Sequence, residues 1–278
     1  MQTRSKYPTK AAPPQADAPE RAPAPFLEIR GLSARFTSQL GELDALEDVT
    51  FSVERGEFVC LVGPSGCGKS TLLRIVAGLM PPSEGSVSLE GQPRTAPSTK
   101  VGLVFQQPTL LPWRTVSENV ALPLQMEGEG ADRVEARVLE LLRLVGLEDF
   151  GGELPANLSG GMAQRAAIAR ALAQNPEVLL LDEPFGALDA LTREHMAAEL
   201  LRIWERMHRT VLMVTHNVEE AALLADRVVV LSARPGCVMD IVPVNLPRPR
   251  DPRMLGTMAL QRVAQTLRDT LDRGNGAR

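Results

Sequence analysis

The sequence predicts an α/β protein, because strand-like segments alternate with amphipathic helical segments along most of the chain. The early strand candidates are FLEIRGLSARF, VTFSVERGEFVCLVG, SVSLEG and VGLVFQ, and the later ones are apolar runs typical of a buried parallel sheet. The helical candidates carry apolar residues at spacings of three and four. The later strand runs are 178–182, 210–216 and 227–233, and the helices are 69–79, 131–145, 161–173, 190–207 and 218–224.

The composition is that of an ordinary globular protein. The chain has 278 residues, of which 44% are hydrophobic and 23% charged, enough for one large core or two modest ones. Its formal net charge of −4 argues against bulk electrostatic binding of nucleic acid, so we expect no nucleic-acid partner. The three cysteines, Cys60, Cys67 and Cys237, are odd in number and lack metal-type spacing, so neither a disulfide framework nor a zinc site is expected. A reducing cytoplasm fits this pattern. Neither a signal peptide nor a membrane-spanning run is expected.

Changes in composition divide the chain into three parts. Residues 1–25 are rich in Pro and Ala, and we expect a disordered tail. Residues 26–246 form the predicted main domain, in which 112–156 interrupts the strand and helix alternation and is expected as a helical insertion. Residues 247–278 form a C-terminal extension with an amphipathic helix, whose apolar stripe either packs on the protein's own body, the favoured interpretation, or meets a partner. The stripe consists of Leu260, Val263, Leu267 and Leu271.

A glycine-rich loop supplies the strongest chemical motif. GPSGCGKST at 63–71 follows the apolar run EFVCLVG and opens a helical run, so G-x-x-x-x-G-K-[ST] stands in the strand, loop and helix context of a P-loop. The backbone N–H groups would cradle phosphate, Lys69 would bring a positive charge to the β and γ phosphates, and Ser70 would offer its hydroxyl to Mg²⁺. The predicted binding residues are Gly63, Pro64, Ser65, Gly66, Cys67, Gly68, Lys69, Ser70 and Thr71.

Two adjacent acids end the strand run at 178–182. In PEVLLLDEPFGALD, Asp182 is placed to hold the Mg²⁺ shell and Glu183 to orient or deprotonate water. Such a pair by itself is more typical of a solvated turn. The P-loop in the same chain favours the catalytic interpretation.

Three further side chains are candidates for the same site. His216 ends TVLMVTH and could contact the γ phosphate and the attacking water. Gln106 ends VGLVFQ, and its amide could reach Mg²⁺ or the water. Phe36 in LSARF either stacks on a base or packs in the core, and its spacing does not decide between the two. His195 and His208 have charged helical neighbours and are expected at the surface.

The segment LSGGMAQR at 158–165 looks like a second phosphate cradle that lacks a lysine. Ser159, Gly160 and Gly161 offer a hydroxyl and two unencumbered N–H groups, and the alanine-rich run after them predicts a helix whose N-terminus favours an anion. No acid, base or metal ligand accompanies them. The residues alone do not indicate whose phosphate they would hold.

Together these motifs resemble the nucleotide-binding subunit of an ABC transporter, from residue 26 to about 246. GPSGCGKST resembles the Walker A motif, VFQQ the Q-loop, LSGGMAQR the ABC signature, LLLDEP the Walker B motif, GALD the D-loop and VTHN the H-loop, in the family's order. The resemblance implies a P-loop NTPase core, an N-terminal antiparallel β subdomain and a helical signature subdomain. It also implies ATP and Mg²⁺ as cofactors.

The resemblance further implies partners and residue roles. Two cassettes would pair head to tail, so that residues 159–161 of one subunit close over ATP on the P-loop of the other. The homodimer would bind integral membrane permease subunits at the cytoplasmic face of the inner membrane and serve a periplasmic solute-binding protein indirectly. By the same carry-over Phe36 stacks on adenine, Lys69 and Ser70 hold phosphate and Mg²⁺, Gln106 lines the metal and water site, Asp182 holds the Mg²⁺ shell, Glu183 is the general base and His216 senses the γ phosphate.

Finer features resemble one branch of the family. LLPWRTVSENVALPL and ARPGCVMDIVPVNLPRPRD are similar to the ATPases of bacterial importers for nitrate, sulfonate, taurine and related anions. The alternative is a soluble ABC ATPase. The sequence argues against it, because it contains a single P-loop, a single signature and no heptad run. A third interpretation, a small-molecule kinase, would leave the signature unexplained.

Met162 stands where the family most often has Gln. The change matters little if that position supports the helix start, and lowers nucleotide affinity if the amide touches nucleotide.

Overall fold

A computed structural model describes residues 25–38, 41–186 and 188–276. The predicted tail, apart from residue 25, and Ala187 of GALD lie outside the described residues. The strands are β1 Leu27–Ser38, β2 Gly41–Val53, β3 Phe58–Val62, β4 Glu84–Leu89, β5 Gln92–Pro93, β6 Val101–Val104, β7 Val178–Asp182, β8 Thr210–Thr215, β9 Arg227–Leu231 and β10 Val238–Pro243. The helices are α1 Lys69–Val76, α2 Val116–Met126, α3 Ala131–Leu144, α4 Gly160–Leu172, α5 Ala190–Met207, α6 Val218–Leu224 and α7 Met258–Gly276.

A six-stranded sheet in the order β10-β9-β3-β8-β7-β6 forms the centre of the molecule. All neighbouring strands are parallel except β10, which runs antiparallel to β9. Alternate residues of β3 enter two different hydrophobic clusters, Phe58 and Cys60 one and Val59 and Leu61 the other, so both faces of the sheet are covered. Because parallel strands end at one edge, the residues that follow β3, β6, β7 and β8 gather there.

A second sheet packs beside the first and is antiparallel throughout. Its order is β2-β1-β4-β5, and the long hairpin of β1 and β2 precedes β3 in the chain. This is the antiparallel β subdomain that the family resemblance implied, so the predicted fold class is confirmed. The antiparallel sheet contributes Phe36, near the end of β1, to the edge where the parallel strands end.

The segment between β6 and β7 is helical, with α2, α3 and α4 and no strand. Asn119 on α2 is fully buried and holds the loop that leads into this segment from Gln106. Its side-chain oxygen accepts the Leu111 N–H at 2.7 Å, and its amide donates to the carbonyl oxygens of Leu111, Arg114 and Thr115. A buried amide with all these partners fixes the backbone path of the loop.

The C-terminal helix packs on the protein's own body. Leu260, Ala264 and Leu267 of α7 are completely buried against a cluster that includes α6, so the favoured interpretation of the apolar stripe describes the structure. Arg250, also buried, donates to the carbonyl oxygens of Leu223 and Ala225 and so ties the segment before α7 to the end of α6. Among the described residues, no helix has the length and apolar character needed to span a membrane.

Candidate nucleotide-binding site

A cavity of about 430 Å³ opens at the edge where the parallel strands end. Most of the residues that the sequence singled out line it together, although they come from β1, the loop before α1 and the ends of β6 and β7. Leu43, Ala45 and Arg234 line it as well and were not predicted. The complete lining is Phe36, Leu43, Ala45, Ser65, Gly66, Gly68, Lys69, Ser70, Thr71, Gln106, Glu183 and Arg234.

The P-loop follows a backbone path that requires glycine. Gly66 and Gly68 have φ values of 76° and 98°, in the left-handed region that other residues rarely adopt. A Cβ on Gly68 would also lie 2.6 Å from the carbonyl oxygen of Ala45. The loop therefore turns tightly into α1, whose first residue is Lys69, and the helix N-terminus faces the cavity with its free N–H groups.

Lys69 carries its charge within the loop. Its Nζ donates to the carbonyl oxygens of Gly63 and Pro64, at 2.8 and 2.9 Å, and the residue is only 5% exposed. The Cys67 thiol lies beside it, 3.9 Å from Nζ, and burial raises the pKa of this thiol. The ammonium is thus held by neutral loop oxygens, which a phosphate can replace with a charged partner.

Ser70 and Asp182 join the P-loop helix to β7. The Ser70 hydroxyl donates to Asp182 Oδ1 at 2.8 Å, and burial raises the pKa of the Asp182 carboxyl. Gln106 and Glu183 converge on Gly186, where an added Cβ would lie 3.2 Å from Gln106 Nε2 and 3.4 Å from Glu183 Oε2. Hydroxyl, carboxylate and amide oxygens are the hard ligands that Mg²⁺ prefers, so this set of donors fits the ion.

Glu183 and His216 form a pair across adjacent strand ends. Glu183 Oε2 lies 3.1 Å from His216 Nδ1. Glu183 adopts a φ of 43°, and its N–H donates to the Val214 carbonyl oxygen at 3.0 Å, so the neighbouring strand holds it in a conformation that non-glycine residues rarely adopt. Backbone strain of this kind clusters at functional sites. The carboxylate is therefore aimed at the cavity by backbone geometry.

Phe36 and Arg234 form the outer part of the cavity. Phe36 is 39% exposed, so the sequence alternative of core packing is excluded and a ring face is open to a base. Arg234 donates from Nε to the carbonyl oxygen of Gly66 at 3.1 Å. It follows β9, and only the order of strands in the sheet, which the sequence does not show, brings it to the P-loop.

The segment at 159–161 lies apart from the cavity. Ser159 caps α4 by accepting the Met162 N–H at 3.3 Å, and both Ser159 and Gly160 are exposed. An added Cβ on Gly161 would lie 3.2 Å from Thr192 Cγ2 of α5, so α4 packs closely there. The Met162 side chain is partly buried against the core.

Glu220 is a buried acid that sequence reasoning missed. It lies on α6, is 7% exposed, and shares a cavity of about 10 Å³ with Glu183, Arg193 and His216. Its Oε2 is hydrogen-bonded to Thr215 Oγ1, whereas Oε1 has no hydrogen-bond partner among the described residues. Burial raises the pKa of this carboxyl to about 7.

Comparisons with known proteins show the family to which the chain belongs. The family model for ABC transporters matches residues 46–186. The aliphatic sulfonates import ATP-binding protein SsuB of Bacillus cereus is 47% identical over 224 residues, which are 81% of this chain and 88% of that protein. A dimeric ATP-binding cassette in a post-hydrolysis state, bound to ADP and Pi, is 34% identical with a TM-score of 0.70 and covers 80% of this chain and 100% of its own.

A second solved structure, cbiO1 from Clostridium perfringens, is described as part of the ABC transporter complex cbiONQ. It is 27% identical with a TM-score of 0.70, covering 79% of this chain and 89% of its own. The chain belongs to the ABC transporter family. It is an ABC ATPase, an ATP-binding subunit whose general activity is the hydrolysis of ATP.

The buried carboxyl of Glu220 predicts a pH-dependent stability. The fold raises the pKa of Glu220 from 4.5 to about 7. The contribution of this group to the free energy of unfolding is therefore complete below pH 4.5 and is lost as the pH rises through 7. We expect Glu220→Gln to remove this loss. Its free energy of unfolding, relative to the unmodified chain, should rise by about 2–3 kcal/mol between pH 5 and pH 8.

Urea denaturation at the two pH values, followed by circular dichroism, measures this difference. Glu219→Gln is the matched control, because Glu219 is half-buried and pairs with Arg268. The same pH-dependent gain in the control variant would assign the effect to some other group.

Proposed function

We propose that this chain is the energy-coupling ATPase subunit of a bacterial importer for a small organic anion, with aliphatic sulfonates favoured over nitrate and taurine. The 47% identity to an aliphatic sulfonates import protein supports the solute class. The pairing of His216 with Glu183, which lines the P-loop cavity, carries the enzymatic part. Two copies would act at the cytoplasmic face of the inner membrane, bound to permease subunits that receive solute from a periplasmic binding protein.

The cavity accommodates ATP along its length. The adenine would stack on Phe36, and the phosphates would lie on the P-loop, where Lys69 leaves its loop carbonyls for the β and γ phosphates. Ser70, Asp182 and Gln106 would hold Mg²⁺, which when bound neutralises phosphate charge. These residues orient the γ phosphate toward Glu183.

Glu183 is the proposed general base. It would take a proton from water as the water attacks the γ phosphate, which yields ADP and inorganic phosphate. His216 contacts the same carboxylate and would hold it, and its other ring nitrogen would meet the γ phosphate. The pair therefore couples the presence of the γ phosphate to the position of the base.

A second copy of the chain would complete the site. Ser159 and Gly160 are exposed at the N-terminus of α4, and neither lines the cavity of its own chain. An exposed helix N-terminus with a serine cap and glycine N–H groups is suited to phosphate. A head-to-tail pair would place this segment against ATP on the partner, and the post-hydrolysis relative is itself dimeric.

The helical segment at 112–156 is the proposed docking surface for the permease, within a main domain at 26–246 and with 247–278 as an extension. A groove of about 710 Å³ there has an apolar floor that includes Val134 and Val138 and an acidic rim that includes Glu118 and Glu148. Trp113, beside the segment's start, is 73% exposed. Cytoplasmic loops of membrane proteins carry an excess of Lys and Arg, which complements this rim.

Removal of the base should separate binding from hydrolysis. We expect Glu183→Gln to retain ATP binding, to slow turnover by about several hundredfold, and to accumulate an ATP-bound dimer, because the amide cannot take a proton. Phosphate release and size-exclusion chromatography with ATP measure the two effects. Glu177→Gln, at the opposite end of β7 in an ion pair with Lys100, is the control. Turnover of Glu183→Gln like that of the control would contradict the assignment.

Mixing two inactive variants tests the shared site. Lys69→Ala loses the phosphate charge and Ser159→Arg blocks the α4 N-terminus, so each homodimer should be inactive. A heterodimer contains one intact P-loop facing one intact signature, and we expect about one competent site per heterodimer. ATP hydrolysis measured after mixing should recover in proportion to heterodimer content. No recovery would rule out assembly across subunits.

Growth of a strain that lacks this chain tests the solute. We expect failure to grow with an alkanesulfonate as the sole sulfur source and normal growth with sulfate, because an importer without its ATPase cannot use ATP to drive uptake. The unmodified chain should restore growth and Lys69→Ala should not. If the strain grows on alkanesulfonate but fails with nitrate as the sole nitrogen source, nitrate replaces sulfonate as the proposed solute. Normal growth in every medium would contradict the import function.

A further inference from the structure

A closed chain of hydrogen bonds surrounds His216. The Asn217 N–H donates to Thr215 Oγ1 at 3.1 Å, and the Glu220 N–H donates to Asn217 Oδ1, also at 3.1 Å. The Thr215 hydroxyl contacts Glu220 Oε2. This hydroxyl donates to the Glu220 carboxyl group and accepts the Asn217 N–H. The two residues that flank His216 are therefore bonded to each other, and both are bonded to Glu220.

The corresponding position on another helix shows what a simple helix cap would look like. On α2 the acid three residues after the cap is Glu118, and it is exposed. Its carboxylate accepts the Thr115 N–H at 2.7 Å, as in an ordinary capping box. Glu220 occupies the same position after Asn217 on α6, yet it turns inward to Thr215. Capping α6 does not require this burial.

Burial of Glu220 is costly, which indicates a role beyond the fold. One oxygen of the Glu220 carboxyl group lacks a hydrogen-bond partner among the described residues. The small cavity that Glu220 lines is also lined by Arg193, Glu183 and His216. The neighbouring acid Glu219 is directed to Arg268 of α7 instead. A buried carboxyl group with one unbonded oxygen lowers stability, and proteins retain such groups where function needs them.

We propose that Glu220 is a positioning residue for His216: its carboxyl group holds the Thr215 hydroxyl, which in turn accepts the Asn217 N–H, and so keeps the backbone on both sides of the histidine in place and the imidazole against Glu183. This inference rests on the proposed function of the Glu183 and His216 pair. Glu220 itself touches no reacting atom. Its loss should change the rate of hydrolysis rather than the binding of ATP, because no Glu220 atom lines the P-loop cavity.

Steady-state hydrolysis by the full-length chain tests the proposal. We expect Glu220→Ala to lower kcat by about tenfold or more and to leave the KM for ATP within about twofold. Glu220→Gln keeps an acceptor for the Thr215 hydroxyl and should restore most of the rate. Glu219→Ala is the control and should hydrolyse ATP normally. Equal kcat values for Glu220→Ala and Glu219→Ala, or a parallel change in kcat and KM, would overturn the proposal.

Thr215→Val breaks the same chain of hydrogen bonds with a side chain of similar shape, and it decides the matter if Glu220→Ala does not fold. It should lower kcat to the same degree, and the double variant should show no further loss. Normal turnover of Thr215→Val would overturn the proposal. The Glu183→Gln variant separates the two proposals. If it hydrolyses ATP, the proposed function is contradicted. If it is inactive while Thr215→Val and Glu220→Ala are fully active, only the role of Glu220 is contradicted.

Discussion

The parallel register of β3, β8 and β7 is the constraint on which the site depends. Val62 lies opposite Thr215, and Asp182 lies opposite Val214, so the chain leaves three buried strands at nearly the same level. The P-loop, the acid pair and the histidine follow directly. The Ser70 to Asp182 hydrogen bond then fixes α1 to β7. A slip of one residue in any pairing would turn these side chains to the other face of the sheet.

The site combines rigid supports with locally unfavourable features. Glu183 holds a left-handed backbone conformation, Lys69 buries an ammonium among carbonyl oxygens, and Glu220 buries a carboxyl beside Arg193. Each would be destabilising alone. The fully apolar strands beneath them supply the packing that offsets these costs, as expected where catalysis needs groups poised away from water.

The two segments that are proposed to meet at one site in a dimer lie on different parts of the fold. The P-loop cavity lies at the edge of the parallel sheet, and the α4 N-terminus lies on the helical segment with its cap exposed. Asn119 fixes residues 111 to 115 of the loop that joins Gln106 to α2. If the proposed partner docks on the helical segment, this loop is the shortest connection from it to the proposed metal ligand Gln106.

The sequence by itself determined the α/β class, the P-loop and most of the strands and helices, because spacing and glycine content are local properties of the chain. It also singled out Asp182, Glu183, Gln106 and His216 as candidates, since each lies at the end of a recognisable apolar run. The sequence did not decide whether Phe36 packs in the core or is open to a base, because the exposure of its ring depends on how the two sheets pack. Only the tertiary structure brought Arg234 to Gly66 and revealed Glu220, whose burial arises from contacts with Thr215 and α5. Strand order and burial are set by long-range contacts, which no local pattern records.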